Sequence, residues 1–219
     1  MLTVITGPMF SGKSADLIRR VNRLRVGGKK VQIFKYIADA RYAPNDKIAS
    51  FDGFFIDGQA ATYSHEVVSL LDLSNEVFVF DEIQFFDGAI LAVLSTLIDL
   101  GKEVIVAGLN LDFRAEPFQF ADSHLSFAEL LVKADYIVKL SAICTYSHDG
   151  VKCGKDASRT QRLIGGIPAP YQNPVVMIGS SESYEARCVS HHVVPGKPFA
   201  HFYARPQTQH YSTALLPTE

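Results

Sequence analysis

The sequence predicts an α/β fold, a mainly parallel sheet with helices on both faces, joined to a small cysteine-bearing appendage. Three observations carry this. Short apolar runs at Met1–Thr6, Glu76–Phe80 and Glu103–Gly108 alternate with segments of helical periodicity, the pattern of buried parallel strands and their crossover helices. A glycine-rich loop, Gly7-Pro8-Met9-Phe10-Ser11-Gly12-Lys13-Ser14, stands between the first run and the first helical segment. From Cys144 the hydrophobic periodicity fades, turn residues accumulate, and all three cysteines fall between 144 and 188.

The loop defines the first element. Gly, four residues, then Gly-Lys-Ser is the P-loop spacing. Its glycines let the backbone curl until several N–H groups point at a polyphosphate. Lys13 can reach the outer phosphates, Ser14 can take a place on Mg²⁺, and the following helix presents its positive end to the same anion. Leu17, Ile18, Val21 and Leu24 recur at helical spacing, with Arg19, Arg20, Arg23 and Arg25 mostly off that stripe as a solvated face. Gly27-Gly28 ends the helix, and Lys29–Tyr36 is the second strand.

Asp39 and Arg41 lie just past that strand, where open α/β sheets gather ligand contacts. They read equally as a surface ion pair or as partners of a sugar and a phosphate. A strand is expected over Ser50–Ile56 and a short helix over His65–Leu73. Glu76–Phe80 is a buried strand delivering Asp81 and Glu82 at its C-terminal end. There the first acid can hold Mg²⁺ and the second can serve as base for an attacking hydroxyl or water. Gln84-Phe85-Phe86 lines a flat apolar pocket or belongs to the core. Ala89–Leu100 is a helix apolar on nearly all sides, set between the sheet and another layer or between subunits. Glu103–Gly108 is a strand, Leu109–Phe120 a loop, Ser126–Ala134 a helix and Tyr136–Ile143 the last strand.

Cys188-Val189-Ser190-His191 has the two-residue gap of a metal knuckle, and Cys144 and Cys153 can supply the other pair across an eight-residue spacer. Three thiolates and an imidazole make a closed tetrahedral site suited to structural zinc, with His148 or His192 as alternative ligands. Val193 onward, rich in Pro, His and Gln, reads as an extended or disordered tail.

Size and charge bound the function. A chain of 219 residues with 47% hydrophobic content suits one full domain with an appendage. A net charge of −2 provides no general field for nucleic acid or anionic membranes. Ala89–Leu100, the longest apolar stretch, is interrupted by Ser95, Thr96 and Asp99, and no secretory-type leader is read. The expectation is a cytoplasmic protein without a disulfide framework.

With these pieces in place, the sequence resembles the zinc-containing cellular and bacterial (type II) thymidine kinases from about Leu2 to Val194. The likeness rests on the loop from Gly7 to Ser14, on Lys35-Tyr36 with Asp39 and Arg41, and on Asp81-Glu82-Ile83-Gln84-Phe85-Phe86. It continues through Ala107-Gly108-Leu109 to Pro117-Phe118, then Ser158–Leu163 and Ser183–Cys188. The resemblance implies a RecA-like P-loop domain over 1–143, a zinc-binding lasso domain over 144–193 and a tail over 194–219. It implies transfer of the γ-phosphoryl group of ATP to the 5′-hydroxyl of thymidine, giving dTMP and ADP, in a homotetramer. Glu82 would be the base, Lys13, Ser14 and Asp81 would serve phosphates and Mg²⁺, and Asp39, Arg41 and Gln84 would complete the ATP site. Phe85, Phe113 and Phe118 would wall the nucleoside pocket, with Tyr184 beside sugar and base. Backbone groups of Val175, Val176, Met177, Ile178 and Gly179 would hold thymine. Three positions depart from the family pattern. Asn110 stands where Asp is common, Phe51 stands where His often follows Ser, and the spacer from Cys144 to Cys153 is longer than two residues. A nucleic-acid-binding zinc ATPase is the rival reading, weakened by the slight acidity. A GTP switch lacks an Asn-Lys-x-Asp stretch.

Overall fold

Strands that lie between two layers must be apolar on both faces, and these are. In the run Val77–Asp81, Val77 and Val79 join one buried cluster while Phe78 and Phe80 join another. Val104 and Val106 face the second cluster, and Ile105 and Ala107 the first. This period-2 division places a separate core on each side of one sheet.

A computed structural model of the chain describes residues 1–37, 47–49, 55–176 and 182–198. In chain order the strands are β1 (Leu2–Thr6), β2 (Val31–Tyr36), β3 (Lys47–Ala49), β4 (Phe55–Asp57), β5 (Gln59–Ala61), β6 (Val77–Asp81), β7 (Glu103–Gly108) and β8 (Tyr136–Lys139). They continue as β9 (Ala142–Ile143), β10 (Ser147–His148), β11 (Val151–Lys152), β12 (Asp156–Ala157), β13 (Arg159–Ile164), β14 (Ile167–Pro168) and β15 (Glu182–Arg187). The helices are α1 (Lys13–Val26), α2 (Ser64–Leu70), α3 (Ile90–Asp99) and α4 (Phe127–Lys133). The main sheet has the order β5-β2-β6-β7-β1-β8, with every pairing parallel.

Helix α1 covers one face through Leu17, Ile18 and Val21, together with Ile48 and Ile56 of the β3–β4 hairpin. On its outer side Asp16 pairs with Arg19 and, at 2.6 Å, with Arg20, so the arginines form a solvated face as the spacing predicts. Helices α2, α3 and α4 cover the other face through Val67, Leu94, Leu97, Phe127 and Leu130. Ser126 caps α4 in a capping box with Glu129. Apolar as it is, α3 buries only the stripe Ile90, Leu91, Leu94 and Leu97, leaving Ala92, Thr96 and Asp99 exposed.

Two stretches differ from expectation. The strand expected over Tyr136–Ile143 ends at Lys139, because its partner β1 gives way to the loop at Gly7. Ala142–Ile143 then pairs antiparallel with β12 instead. After Cys144, where periodicity fades, β13 and β15 nonetheless pair antiparallel over six residues each, with β14 on the far edge of β13. The strand β13 is hidden from pattern reading because it buries Thr160, Gln161 and Arg162. Gln161 uses its amide as a strand would, donating to the Val193 carbonyl at 2.9 Å and accepting from the Val193 N–H at 2.8 Å. The expected tail is therefore held at its first residue, and residues 199–219 lie outside the described set. The strand expected from Ser50 is described only from Phe55. Among the described residues, no helix is long and apolar enough to cross a membrane.

The ring of Phe34 is fully buried and stacks on Phe80 with centroids 5.2 Å apart. Phe34→Ala is expected to cost about 3–5 kcal/mol of unfolding free energy by urea denaturation. A loss below about 1 kcal/mol would mean that this face is not packed as described.

Candidate active site and metal cluster

Strand β1 delivers the chain to Gly7, whose φ of 151° suits glycine and whose missing Cβ makes room for the Leu140 carbonyl. Phe10 (φ 66°) and Gly12 (φ 82°) take left-handed conformations, which complete the curl before α1 begins at Lys13. The Lys13 ammonium turns back to donate to the Pro8 carbonyl at 2.9 Å, and Ser11 Oγ donates to the same oxygen at 2.8 Å. Of the loop N–H groups, that of Met9 donates to Thr160 Oγ1 at 3.0 Å. Strand β13 thus reaches the phosphate-type loop directly, a link that sequence reading missed although Thr160 lies in a quoted motif.

Strand β6 brings Asp81 to the same edge of the sheet. Its buried carboxylate accepts from Ser14 Oγ at 3.3 Å and from the Glu82 N–H at 3.1 Å. Lys35, also buried, is its register partner on β2. Glu82 follows in the left-handed region (φ 53°, ψ 41°), which ends the strand and opens a 3-10 turn over Ile83–Phe85. Gln84, expected among ATP contacts, follows in that turn. It is 1% exposed, and its amide donates to Glu82 Oε2 at 2.5 Å and accepts from the Leu109 N–H at 3.0 Å.

The aromatic residues gather nearby. Phe85 meets Phe118 edge-on at 5.6 Å and Tyr36 at 5.5 Å. Phe113 is buried under two guanidinium groups, Arg162 at 5.3 Å and Arg114 at 5.4 Å. Arg162, 0% exposed, also donates to the Pro174 carbonyl at 2.5 Å and faces Tyr184 across the β13–β15 ladder. Val175 packs against the main core and Val176 is exposed. Asp39, Arg41, Met177, Ile178 and Gly179 lie outside the described residues. At the departure Asn110, the backbone carbonyl accepts from the Phe118 N–H at 3.1 Å. A nearby carboxylate that sequence reading passed over, Asp112, accepts the N–H groups of Arg114 and Glu116 at 2.8 and 3.0 Å. Burial pushes its pKa up against those two bonds.

The cysteine segment has a core of very small side chains, Ala142, Cys144, Ala157, Ala186 and Cys188. Its cohesion has to come from elsewhere. Ligand atoms of Cys144, Cys153, Cys188 and His191 all lie within 4.8 Å of one another. Cys188 Sγ is 3.4 Å and Cys144 Sγ 3.7 Å from His191 Nδ1, and Cys153 and Cys188 sulfurs are 4.0 Å apart. Edges of a tetrahedral zinc site with these donors are about 3.6–3.8 Å long, so the cluster fits one. Burial pushes the Cys144 thiol up. The Cys188 and Tyr146 N–H groups and the His191 ring outweigh it and bring the pKa down to about 6, the thiolate character that a metal ligand needs. His191 stacks on Tyr146 at 4.2 Å. Neither alternative ligand joins the cluster. His148 is exposed beside Asp149. His192 donates from Nε2 to the Phe113 carbonyl at 2.9 Å, and burial pushes its pKa down.

Tyr171, Asn173 and Lys197 are fastened to Arg114 and Glu116 by polar contacts. The Arg114 guanidinium lies 4.8 Å over Tyr171 and donates to the Asn173 carbonyl at 2.6 Å. Tyr171 donates its hydroxyl to the Glu116 carboxylate at 3.1 Å, and Lys197 donates to the Arg114 carbonyl.

Comparison with known proteins points to one family. The family model described as thymidine kinase matches residues 1–192. A thymidine kinase of Thermococcus kodakarensis is 42% identical over 198 residues, which cover 89% of this chain and 94% of that protein. A thymidine kinase of Pyrobaculum aerophilum is also 42% identical over 198 residues, covering 89% of this chain and all of that protein.

The cluster predicts one zinc per chain, and Cys188→Ser should release it and lower the melting temperature. Metal analysis that finds no zinc in freshly purified, fully active protein would refute the site.

Proposed function

The chain belongs to the thymidine kinase family, and from that premise we propose that it transfers the γ-phosphoryl group of ATP to the 5′-hydroxyl of thymidine at the edge of the sheet where β1 and β6 end. The observation that carries the placement is the Ser14–Asp81 bond at 3.3 Å, which joins the phosphate-type loop to the acidic strand end that also bears Glu82. Phosphoryl transfer asks little covalent chemistry of a protein, so positioning and charge neutralisation dominate. In this reading the loop N–H groups and the N-terminus of α1 receive the phosphates. Lys13 leaves the Pro8 carbonyl to meet the outer phosphates. Ser14 and Asp81 hold Mg²⁺, which when bound neutralises charge on the transferring group. Glu82 accepts the proton of the 5′-hydroxyl as that oxygen bonds to the γ-phosphorus and the bond to the ADP oxygen breaks.

Phe85, Phe113, Phe118 and Tyr184 would wall the nucleoside pocket, and backbone groups from Val175 to Gly179 would read the thymine edge. Thymine offers two carbonyl acceptors flanking an N–H donor. Cytosine inverts part of that pattern and leaves buried groups unpaired, so it is rejected strongly. The methyl group alone is worth about 1–3 kcal/mol, so deoxyuridine is a weaker substrate. Asp39 and Arg41 complete the phosphate side. Zinc on Cys144, Cys153, Cys188 and His191 fixes both ends of the thymine-reading loop. The chain divides into a P-loop domain (1–143), a zinc lasso (144–193) and a tail (194–219). It works as a cytoplasmic homotetramer on free nucleosides. A net charge of −2 and the names of the two relatives, both thymidine kinases, support this over the nucleic-acid-dependent ATPase.

Glu82→Gln is expected to lower kcat by about 10²-fold or more while ATP binding stays near normal. Near-normal turnover would remove Glu82 from the base role. Screening thymidine, deoxycytidine and deoxyguanosine as acceptors tests the substrate, and ATP hydrolysis stimulated by DNA without any nucleoside would favour the rival.

A further inference from the structure

We infer that Gln84 is a positioning residue that holds the Glu82 carboxylate in register with the phosphate-binding loop, an inference that rests on Glu82 being the base. Three observations converge on it. The side chain is 1% exposed and makes two directed bonds, Nε2 to Glu82 Oε2 at 2.5 Å and Oε1 from the Leu109 N–H at 3.0 Å. Its orientation is forced by its neighbours. An amide N–H can only donate and an ionised carboxylate can only accept, so the oxygen faces Leu109 and the nitrogen faces Glu82. A side chain of this length needs one donor and one acceptor to satisfy both neighbours, and glutamine supplies them without charge.

The third observation is Gly108. Its backbone is not left-handed, so glycine is there for room rather than for conformational freedom. A Cβ at 108 would collide with Gln84 Oε1 and would lie 3.0 Å from Ile83 Cγ2 and Phe127 Cε2. The Gly108 carbonyl in turn accepts from Thr6 Oγ1 at 3.0 Å, and Thr6 is the last residue of β1 before the loop. A continuous path therefore runs from the loop's own strand through Thr6, Gly108 and Gln84 to Glu82. With Oε2 engaged by the amide, the carboxylate is held in one orientation rather than searching through rotamers. Positioning of this kind acts on the chemical step more than on ground-state binding.

The test is steady-state kinetics of the purified full chain with thymidine and ATP, with melting temperatures measured alongside. Gln84→Glu keeps the shape and the acceptor for Leu109 but replaces the donor that faces Glu82. Gln84→Met removes both bonds at similar length. Each is expected to lower kcat by about 10- to 100-fold with both KM values within about threefold. The decisive measurement is a double-mutant cycle, because a residue that acts through Glu82 has nothing left to position once Glu82 is changed. In the Glu82→Gln background, Gln84→Met should cause no further loss. The inference is overturned if both single variants keep kcat within about threefold, or if Gln84→Met causes the same loss with and without Glu82. Full activity in Glu82→Gln itself would instead bring down the base assignment, and this proposal with it. The two failures are therefore distinguishable.

Discussion

The parallel register of three neighbouring strands is the constraint from which the site follows. Because β6, β7 and β1 run in the same direction, their C-terminal ends lie along one edge, with Thr6 opposite Gly108 and Phe80 opposite Val106. The loop after β1, the acids after β6 and the Leu109 segment after β7 must then emerge side by side. An antiparallel middle strand would have carried one of them to the opposite edge. The middle strand ends in a residue without a side chain, and the contacts among Thr6, Gly108 and Gln84 occupy that space. Two apolar layers fix the register. A slip of one residue would exchange Phe78 and Phe80 with Val77 and Val79 between cores of different shape.

The second half of the chain is held by different physics. Apart from Leu163, its buried apolar residues among those described are alanines and cysteines, too small to repay the ordering of some fifty residues by burial alone. What remains is directional: a Cys₃His cluster, an arginine between two aromatic rings, and a buried glutamine that pairs with the backbone as a strand would. Such contacts bring order without a thick core. They leave side chains such as Thr160 and Arg162 buried where they can touch the P-loop and the aromatic wall.

Most of the first half was legible in sequence because its signals are local. The loop Gly7–Ser14 has a fixed spacing, and the runs ending at Phe80 and Gly108 are too apolar to be anything but buried strands. The cysteine knuckle was legible for the same reason, and the cluster chose His191 over His148 and His192. What escaped was non-local. Nothing in the string Arg159-Thr160-Gln161-Arg162 announces a buried strand, because its polar groups are satisfied by residues far along the chain. The break between β8 and β9 depends on where β1 stops, which no window around Leu140 contains. The sequence reads Gln84 with Phe85 and Phe86, as pocket lining or core. Only its burial and the Leu109 N–H reveal where its amide is directed.

The left-handed backbone at Glu82 has a consequence for how this molecule responds to selection. A residue with a side chain held there sits roughly 1–2 kcal/mol above what glycine would. Phe10 in the loop is in the same position. A search for heat-resistant variants that ignores turnover would therefore be drawn toward glycine at these two places, gaining robustness by discarding the proposed base. Durability and chemistry pull against each other at residue 82, and only a screen that scores both would leave the carboxylate where it is.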